Sequence, residues 1–455
     1  MQAQNNLRLI NVSLPLQDRN ERFEVTVSEG RYSSIVRQQQ TVPPEGTSSL
    51  DSLLHDADRA NPALSASFVP DRAGIFGKEQ QETVIDVGGR IMLPGLADAH
   101  MHLDKAFTSR QIGNLSGTLL EAIRNFKAAS PSFTHQQLKE RMMTTIRHAM
   151  SFGTTAIRTH LDFNYQAGID VAMRTVYAAL EVKEALRGRV ELQLFPLCQF
   201  DRMPGAALEA LEEALRLGVD GIGGAPHLSA DPHADIDTVF RLAQKYGKPI
   251  DLHADENDDP AVRTVEYIAR QTIAQGYQGK VTVGHLCSLA AMAHEDAESI
   301  IGLMAEARLM AITLPGANMY LQGRGDRGVV RRGVTRVKEL VAAGVPLAVA
   351  SDNIQDPFHP FGRGDLLQIG LLAAYAAHMS SEQDQLELLR MITEVPATIM
   401  GLDGWGIEEG NAANFAIFDA ATVGELLAWL PSGRWINRGG EWTVVSKPLT
   451  IWQRD

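Results

Sequence analysis

Short apolar runs that end in polar residues recur along the chain from about residue 97 to 395, each followed by a helix-period stretch and a glycine-containing turn. Eight such runs stand out: Ile91–His102, Thr154–Asp162, Val190–Gln199, Val219–His227, Pro249–Glu256, Val281–His285, Leu309–Asn318 and Val345–Asn353. Between them the pattern predicts helices such as Asp235–Tyr246, Pro260–Gln275 and Val334–Ala343. Strands alternating with helices imply a parallel sheet, and eight units of this length predict an α/β fold closed into a (β/α)8 TIM barrel. A doubly wound open sheet is the competing arrangement, but no Gly-x-Gly-x-x-Gly follows the first strand.

Outside the repeat, residues 6–37, 82–92 and 412–452 read as short strands and turns. Segments from both ends are therefore expected to pair into a small β-sandwich. This divides the chain into a composite sandwich domain, 1–92 plus 405–455, and a barrel, 93–404. Residues 38–80 are rich in Gln, Pro, Ser, Asp and Ala without periodicity, which predicts a flexible surface insertion.

Composition narrows the function. A chain of 455 residues that is 44% hydrophobic has ample material for a core. Its net charge of −13, with no block of Lys and Arg, excludes nucleic acid and anionic membrane surfaces as expected partners. Cys198 and Cys287 are too few for a disulfide scaffold or a Cys-rich metal site, which favours a reducing compartment. With no secretory signal and no spanning segment in the sequence, the expectation is a cytoplasmic protein with a small-molecule partner.

The strand ends carry the chemistry. In a TIM barrel the loops beyond the strands converge on one mouth, so residues there meet even when far apart in sequence. The first run ends His100-Met-His102, and side chains two apart on a strand project to one side. The fifth ends with His253 and Glu256, the sixth with His285, and the eighth with Asp352 and Asn353. Three neutral nitrogens from His100, His102 and His253 plus an oxygen from Asp352 form the ligand set of a divalent Zn or Fe ion. Such an ion makes bound water acidic near neutrality, so a hydrolase is expected.

Glu256 is placed to move a proton between that water and a substrate ring. His285 stabilises the attacking hydroxide or the oxyanion, or else serves as a fifth ligand or supports one. Asp352 both holds the metal and shuttles the proton of the attacking water. Gly223 to His227, ending the fourth run, offers no lysine to bridge two ions, which favours a single metal. His160, Asp162 and His227 either line the pocket or pack inside the barrel.

The segment from Leu93 to Lys105, with His253, His285 and Asp352, resembles the amidohydrolase superfamily. Arg158 to Asp162, His253 to Asp259 and Asp352 to Phe358 are similar to its cytosine deaminase branch, which includes hydrolases of N-alkylated aminotriazines. The resemblance runs from about residue 82 to the C-terminus, including Ile407 to Asp419, and omits residues 38–80. It implies the same metal ligands, with Glu256 as proton shuttle and His285 as hydroxide-orienting histidine. It also implies that Gln199 reads the substrate's ring edge and that the protein assembles as a homo-oligomer.

Three departures concern the substrate. Phe358 stands where the family pattern has Trp, Asn353 replaces a second aspartate, and Lys105 occupies a position that is not basic in cytosine deaminases. Lys105, Gln199, Asn353 and Phe358 are thus the candidate substrate-binding residues. Lys105 suits an oxo or carboxylate group, or else forms a salt bridge.

The expected reaction is hydrolytic removal of ammonia or an amine from an amino-substituted N-heterocycle such as a pyrimidine, triazine or pterin. The His-x-Glu and Pro-Cys-x-x-Cys signature of nucleotide-type zinc deaminases is absent. Cyclic amide or amidine hydrolysis within the same superfamily is the alternative. A non-catalytic metal-binding protein would leave the acid/base positions without use.

Overall fold

The computed structural model describes residues 6–39, 43–53 and 83–448. Eight parallel strands form one sheet in strict chain order: Leu96–Met101, Thr154–Asp162, Glu191–Cys198, Ile222–Gly224, Ile250–Ala254, Val281–His285, Met310–Thr313 and Leu347–Val349. Nearly every residue of these strands is buried, because helices cover the outside while side chains fill the interior. The first and eighth strands meet at a seam where Met101 bridges Asp352 in parallel and the Asp352 N–H donates to His100 O at 2.9 Å. The expected TIM barrel is therefore present, and its closure lies at two of the predicted ligands.

Several predicted boundaries shift for local reasons. The run Ile91–His102 is two strands: Ile91–Pro94 belongs to a second sheet and Leu96–Met101 to the barrel. Gly95 is the joint, and a Cβ there would lie 2.1 Å from Thr155 Oγ1, so only glycine fits. The seventh run stops at Thr313, since Pro315 opens the helix Pro315–Leu321 that carries Asn318. The fourth shortens to Ile222–Gly224, and Pro226 starts a 3-10 turn holding His227. The helix expected from Pro260 begins at Thr264, where the Asp255 carboxylate accepts from the N–H groups of Thr264 (2.8 Å) and Val265 (3.0 Å).

The second sheet has nine strands drawn from both ends of the chain. Leu7–Leu14 pairs antiparallel with Asp18–Ser28 and parallel with Thr83–Asp86 and Ile91–Pro94. Ile91–Pro94 also pairs with Phe415–Phe418, which continues to Arg434–Arg438 and Glu441–Ser446. Leu9, Val25, Phe415 and Trp435 are buried in its core. The C-terminal segment, expected as strands and turns, also holds the helix Val423–Trp429, capped by Thr422.

Part of the expected flexible insertion is instead docked. Ser48–Ser49 pairs with Thr83–Asp86, Leu50 and Leu53 join the sandwich core, and Trp435 Nε1 donates to Leu50 O at 3.1 Å. Apolar side chains at 50 and 53 were hidden by the polar composition around them. Residues 40–42 and 54–80 of that insertion lie outside the described residues.

A buried ion pair ties sheet to barrel. Arg434, from the sandwich, meets Asp365 with Nη1 at 3.0 Å and Nη2 at 2.9 Å, and both residues are fully buried. Asp365 also caps the helix Leu366–Ala376. Asp365→Ala strands a buried guanidinium and removes the cap, so it is expected to cost about 3–5 kcal/mol, measured as a drop in the urea midpoint at unchanged slope.

Candidate active site

The predicted strand-end residues converge at the barrel mouth. His100 and His102 come from the first strand and its end, and Asp352 from across the seam. His253 lies on the fifth strand, His285 on the sixth. His102 Nε2 is 3.2 Å from His253 Nε2 and 3.3 Å from Asp352 Oδ1, and His100 Nε2 is 3.7 Å from the same oxygen.

Two overlapping groups have metal-ligand spacing and share His100: His100, His102, His253, and His100, His285, Asp352. His285 thus stands close enough to keep both of its expected roles. A third group joins His100 to His160 and Asp251.

Backbone geometry aims these side chains. Asp255, His285 and Asp352 have φ of +53°, +71° and +60°, a left-handed conformation that side-chain-bearing residues rarely adopt. At 285 and 352 it turns the chain sharply just where the strand delivers its functional group.

The electrostatics fit a cation. Burial first, then neighbouring histidines and Lys105, hold His100, His102 and His253 well below 6.5, so all three imidazoles are neutral at neutral pH. His102 Nδ1 lies 3.2 Å from His160 O, which fixes its proton outward and leaves Nε2 bare toward the cluster. Both nitrogens of His100, Nδ1 of His253 and both oxygens of Asp352 are buried without a hydrogen-bond partner. So many buried, unpaired polar atoms in one cluster are costly unless a positive ion sits among them. The His/Asp cluster can hold a metal ion.

Glu256 lies just past the fifth strand, buried and lining the cavity. Burial, then the charge of Asp352, pushes its carboxyl well above 4.5, while Lys105 opposes them. His285 receives Asn318 Nδ2 on Nδ1 at 2.9 Å, which leaves Nε2 as the protonated nitrogen. Asn318 was not singled out in the sequence, because the strand assignment hid its place on a helix facing His285.

The remaining candidates separate cleanly. Lys105, Gln199, Asn353, Phe358, Asp162 and His227 all line one cavity above the cluster. Lys105 is buried, with Nζ 3.8 Å from Asp162 Oδ1 and 5.0 Å from the centre of the Phe358 ring. Lys105 thus has Asp162 as an ion-pair partner and also lines the cavity. Gln199 anchors Nε2 on Leu228 O at 2.9 Å.

His160 does not line the cavity; it packs inside the barrel with its ring centre 4.3 Å from that of His100 and tilted against it, and with Nε2 3.4 Å from Asp251 Oδ1. Asp251 also pairs with Arg158 at 2.8 Å. Burial alone would raise Asp251, but His160 and Arg158 outweigh it and hold the carboxyl below its usual range.

Comparison with known proteins identifies the family to which this fold and chain are similar. The amidohydrolase family profile matches residues 108–427, beginning just after His102. The chain is 35% identical over 373 residues to a pterin deaminase of Rhizobium rhizogenes, covering 80% of this chain and 82% of that protein. It is 28% identical to an N-isopropylammelide isopropyl amidohydrolase of a Pseudomonas species, covering 74% and 81%. Its fold superposes on the 5-methylcytosine deaminase of Klebsiella pneumoniae liganded with 5-fluorocytosine with a TM-score of 0.82, at 27% identity over 98% of this chain and 99% of that one. With its barrel, its strand-end cluster and these relatives, the chain belongs to the amidohydrolase family.

Proposed function

We propose that this protein is a metal-dependent aminohydrolase that removes an amino group from a ring carbon of an N-heterocycle, releasing ammonia or an amine. The observation that carries the reading is the meeting of His100, His102, His253 and Asp352 at the floor of a ring-sized cavity, with buried Glu256 and His285 beside them. The relatives' printed activities on pterin, cytosine-type and ammelide rings support the same substrate class.

His100, His102, His253 and Asp352 are the residues that would hold one zinc or iron ion, which when bound supplies the Lewis acidity that makes water a nucleophile near neutral pH. Glu256 takes the water's proton and delivers it to the ring nitrogen beside the reacting carbon. His285 donates from Nε2 to the oxygen that gains charge as the carbon becomes tetrahedral. Asp352 offers a second carboxylate for the same proton. Phe358 provides a flat apolar wall, and Lys105 a donor for an oxo group on the ring.

Both cysteines are buried and unpaired, which supports a reducing cytoplasm. Among the described residues no helix is long and apolar enough to cross a membrane.

Metal analysis coupled to a substrate panel tests the reading. Purified protein is expected to carry zinc or iron and to release ammonia or amine from at least one aminopterin, aminopyrimidine or aminotriazine. Chelation should abolish that release and metal should restore it. Turnover of hydantoin-like rings with none of the amino-substituted ones would replace deamination by cyclic amide hydrolysis.

A further inference from the structure

Asn353 stands next to the seam carboxylate and lines the cavity, and its side-chain amide is not free to turn. Its Nδ2 donates to Asp356 Oδ2 at 2.7 Å. Asp356 is fully buried, and its other oxygen accepts the backbone N–H groups of Phe358 (2.9 Å) and His359 (3.1 Å). Three N–H donors converge on this carboxyl group, which accepts from each of them and holds the Asn353 NH2 group on itself, leaving Oδ1 as the other end of the amide. Asn353 Oδ1 takes no donor from the described residues, and it is absent from the sealed, unpartnered atoms that include both oxygens of Asp352. The loop itself is pinned: His359 Nδ1 lies 3.1 Å from Asn353 O, and a Cβ at Gly362 would fall 2.2 Å from that oxygen.

We propose that Asp356 is a positioning residue that locks Asn353 as a hydrogen-bond acceptor, so that with Lys105 the pocket selects rings presenting a lactam edge, an N–H beside a C=O, next to the amino-bearing carbon. The N–H meets Asn353 Oδ1 and the carbonyl meets the Lys105 ammonium, which lies over the Phe358 ring and lines the same cavity as Asn353. Glu256 then serves the bare nitrogen on the other side of the reacting carbon. A 2-amino-4-oxo ring has this order of groups; a 2,4-diamino ring of the same size reverses it along the edge facing Asn353 and Lys105. The inference rests on the aminohydrolase reading and adds to it the polarity of the substrate edge.

The test compares kcat/KM for amine release from a 2-amino-4-oxopteridine and its 2,4-diamino counterpart. Wild-type protein is expected to favour the oxo ring by about 10- to 100-fold, since the reversed edge leaves buried polar groups unpaired. Asp356→Asn places a donor against Asn353 and lets its amide turn, so the ratio should fall to unity or reverse, chiefly through KM. If Asp356→Asn fails to fold, Asn353→Leu carries the test, and the preference should vanish at unchanged metal content. A wild-type ratio near one overturns the proposal, as does a folded, metal-loaded Asp356→Asn or Asn353→Leu that retains the preference. Release of no amine from any ring in the panel overturns the aminohydrolase reading itself, a result distinct from release without preference.

Discussion

His253→Ala is expected to abolish turnover, with kcat/KM falling on the order of 10³-fold or more and metal content dropping well below one per chain. Residues that merely orient a metal ligand change affinity or activity about 10- to 100-fold when removed, and a direct ligand sets a larger loss. His253 also faces His102 across 3.2 Å, so its deletion leaves a neutral imidazole and the Asp352 carboxylate around a void. Elemental analysis and thermal melting with and without chelator give the check. Chelation should lower the wild-type melting temperature, because an ion bound only by the folded state stabilises it by about 2.7 kcal/mol at a hundredfold excess over Kd. The variant should melt at the same temperature with or without chelator. A variant that keeps a full metal complement and turnover would remove His253 from the ligand set.

Glu256→Gln is the second large effect, and it separates catalysis from binding. The amide fills the same volume but cannot carry a proton, so kcat is expected to fall about 10²- to 10⁴-fold while metal content stays at the wild-type level. The pH dependence follows from the raised carboxyl. A group that must first accept a proton works only when ionised, and burial beside Asp352 puts that ionisation well above 4.5. Wild-type activity should therefore fall on the acid side at a pH well above the ordinary carboxylate range. That limb should disappear from the residual activity of Glu256→Gln. Full turnover by this variant on a confirmed substrate would assign the shuttle elsewhere.

The parallel barrel and the strand-end chemistry were legible because both depend on residue types at short, regular spacing. His100 and His102 share a strand face, and Asp352 and His285 end apolar runs of their own. What sequence spacing could not show is contact between strands. Asn318 orients His285 from a helix that a proline starts, and the run of apolar residues around it reads equally well as strand. Asp356 looks like any loop acid until its three N–H donors are seen. His160 carries the same residue type as the cluster histidines, yet its partner Asp251 lies on the fifth strand and draws it into the barrel interior instead of the cavity. Leu50 and Leu53 lie in a stretch dominated by Gln, Pro, Ser, Asp and Ala, and that composition outweighed them.

The seam between the first and eighth strands couples assembly to chemistry. His100 and Asp352 are fastened by a backbone hydrogen bond, yet they lie on opposite halves of a chain that must be folded from end to end before they meet. A fragment stopping within the third helical unit would own His100 and His102, and its complement His253 and Asp352. Neither half possesses a complete ligand set. A metal ion held by all four residues would therefore bind only once both halves of the barrel have come together.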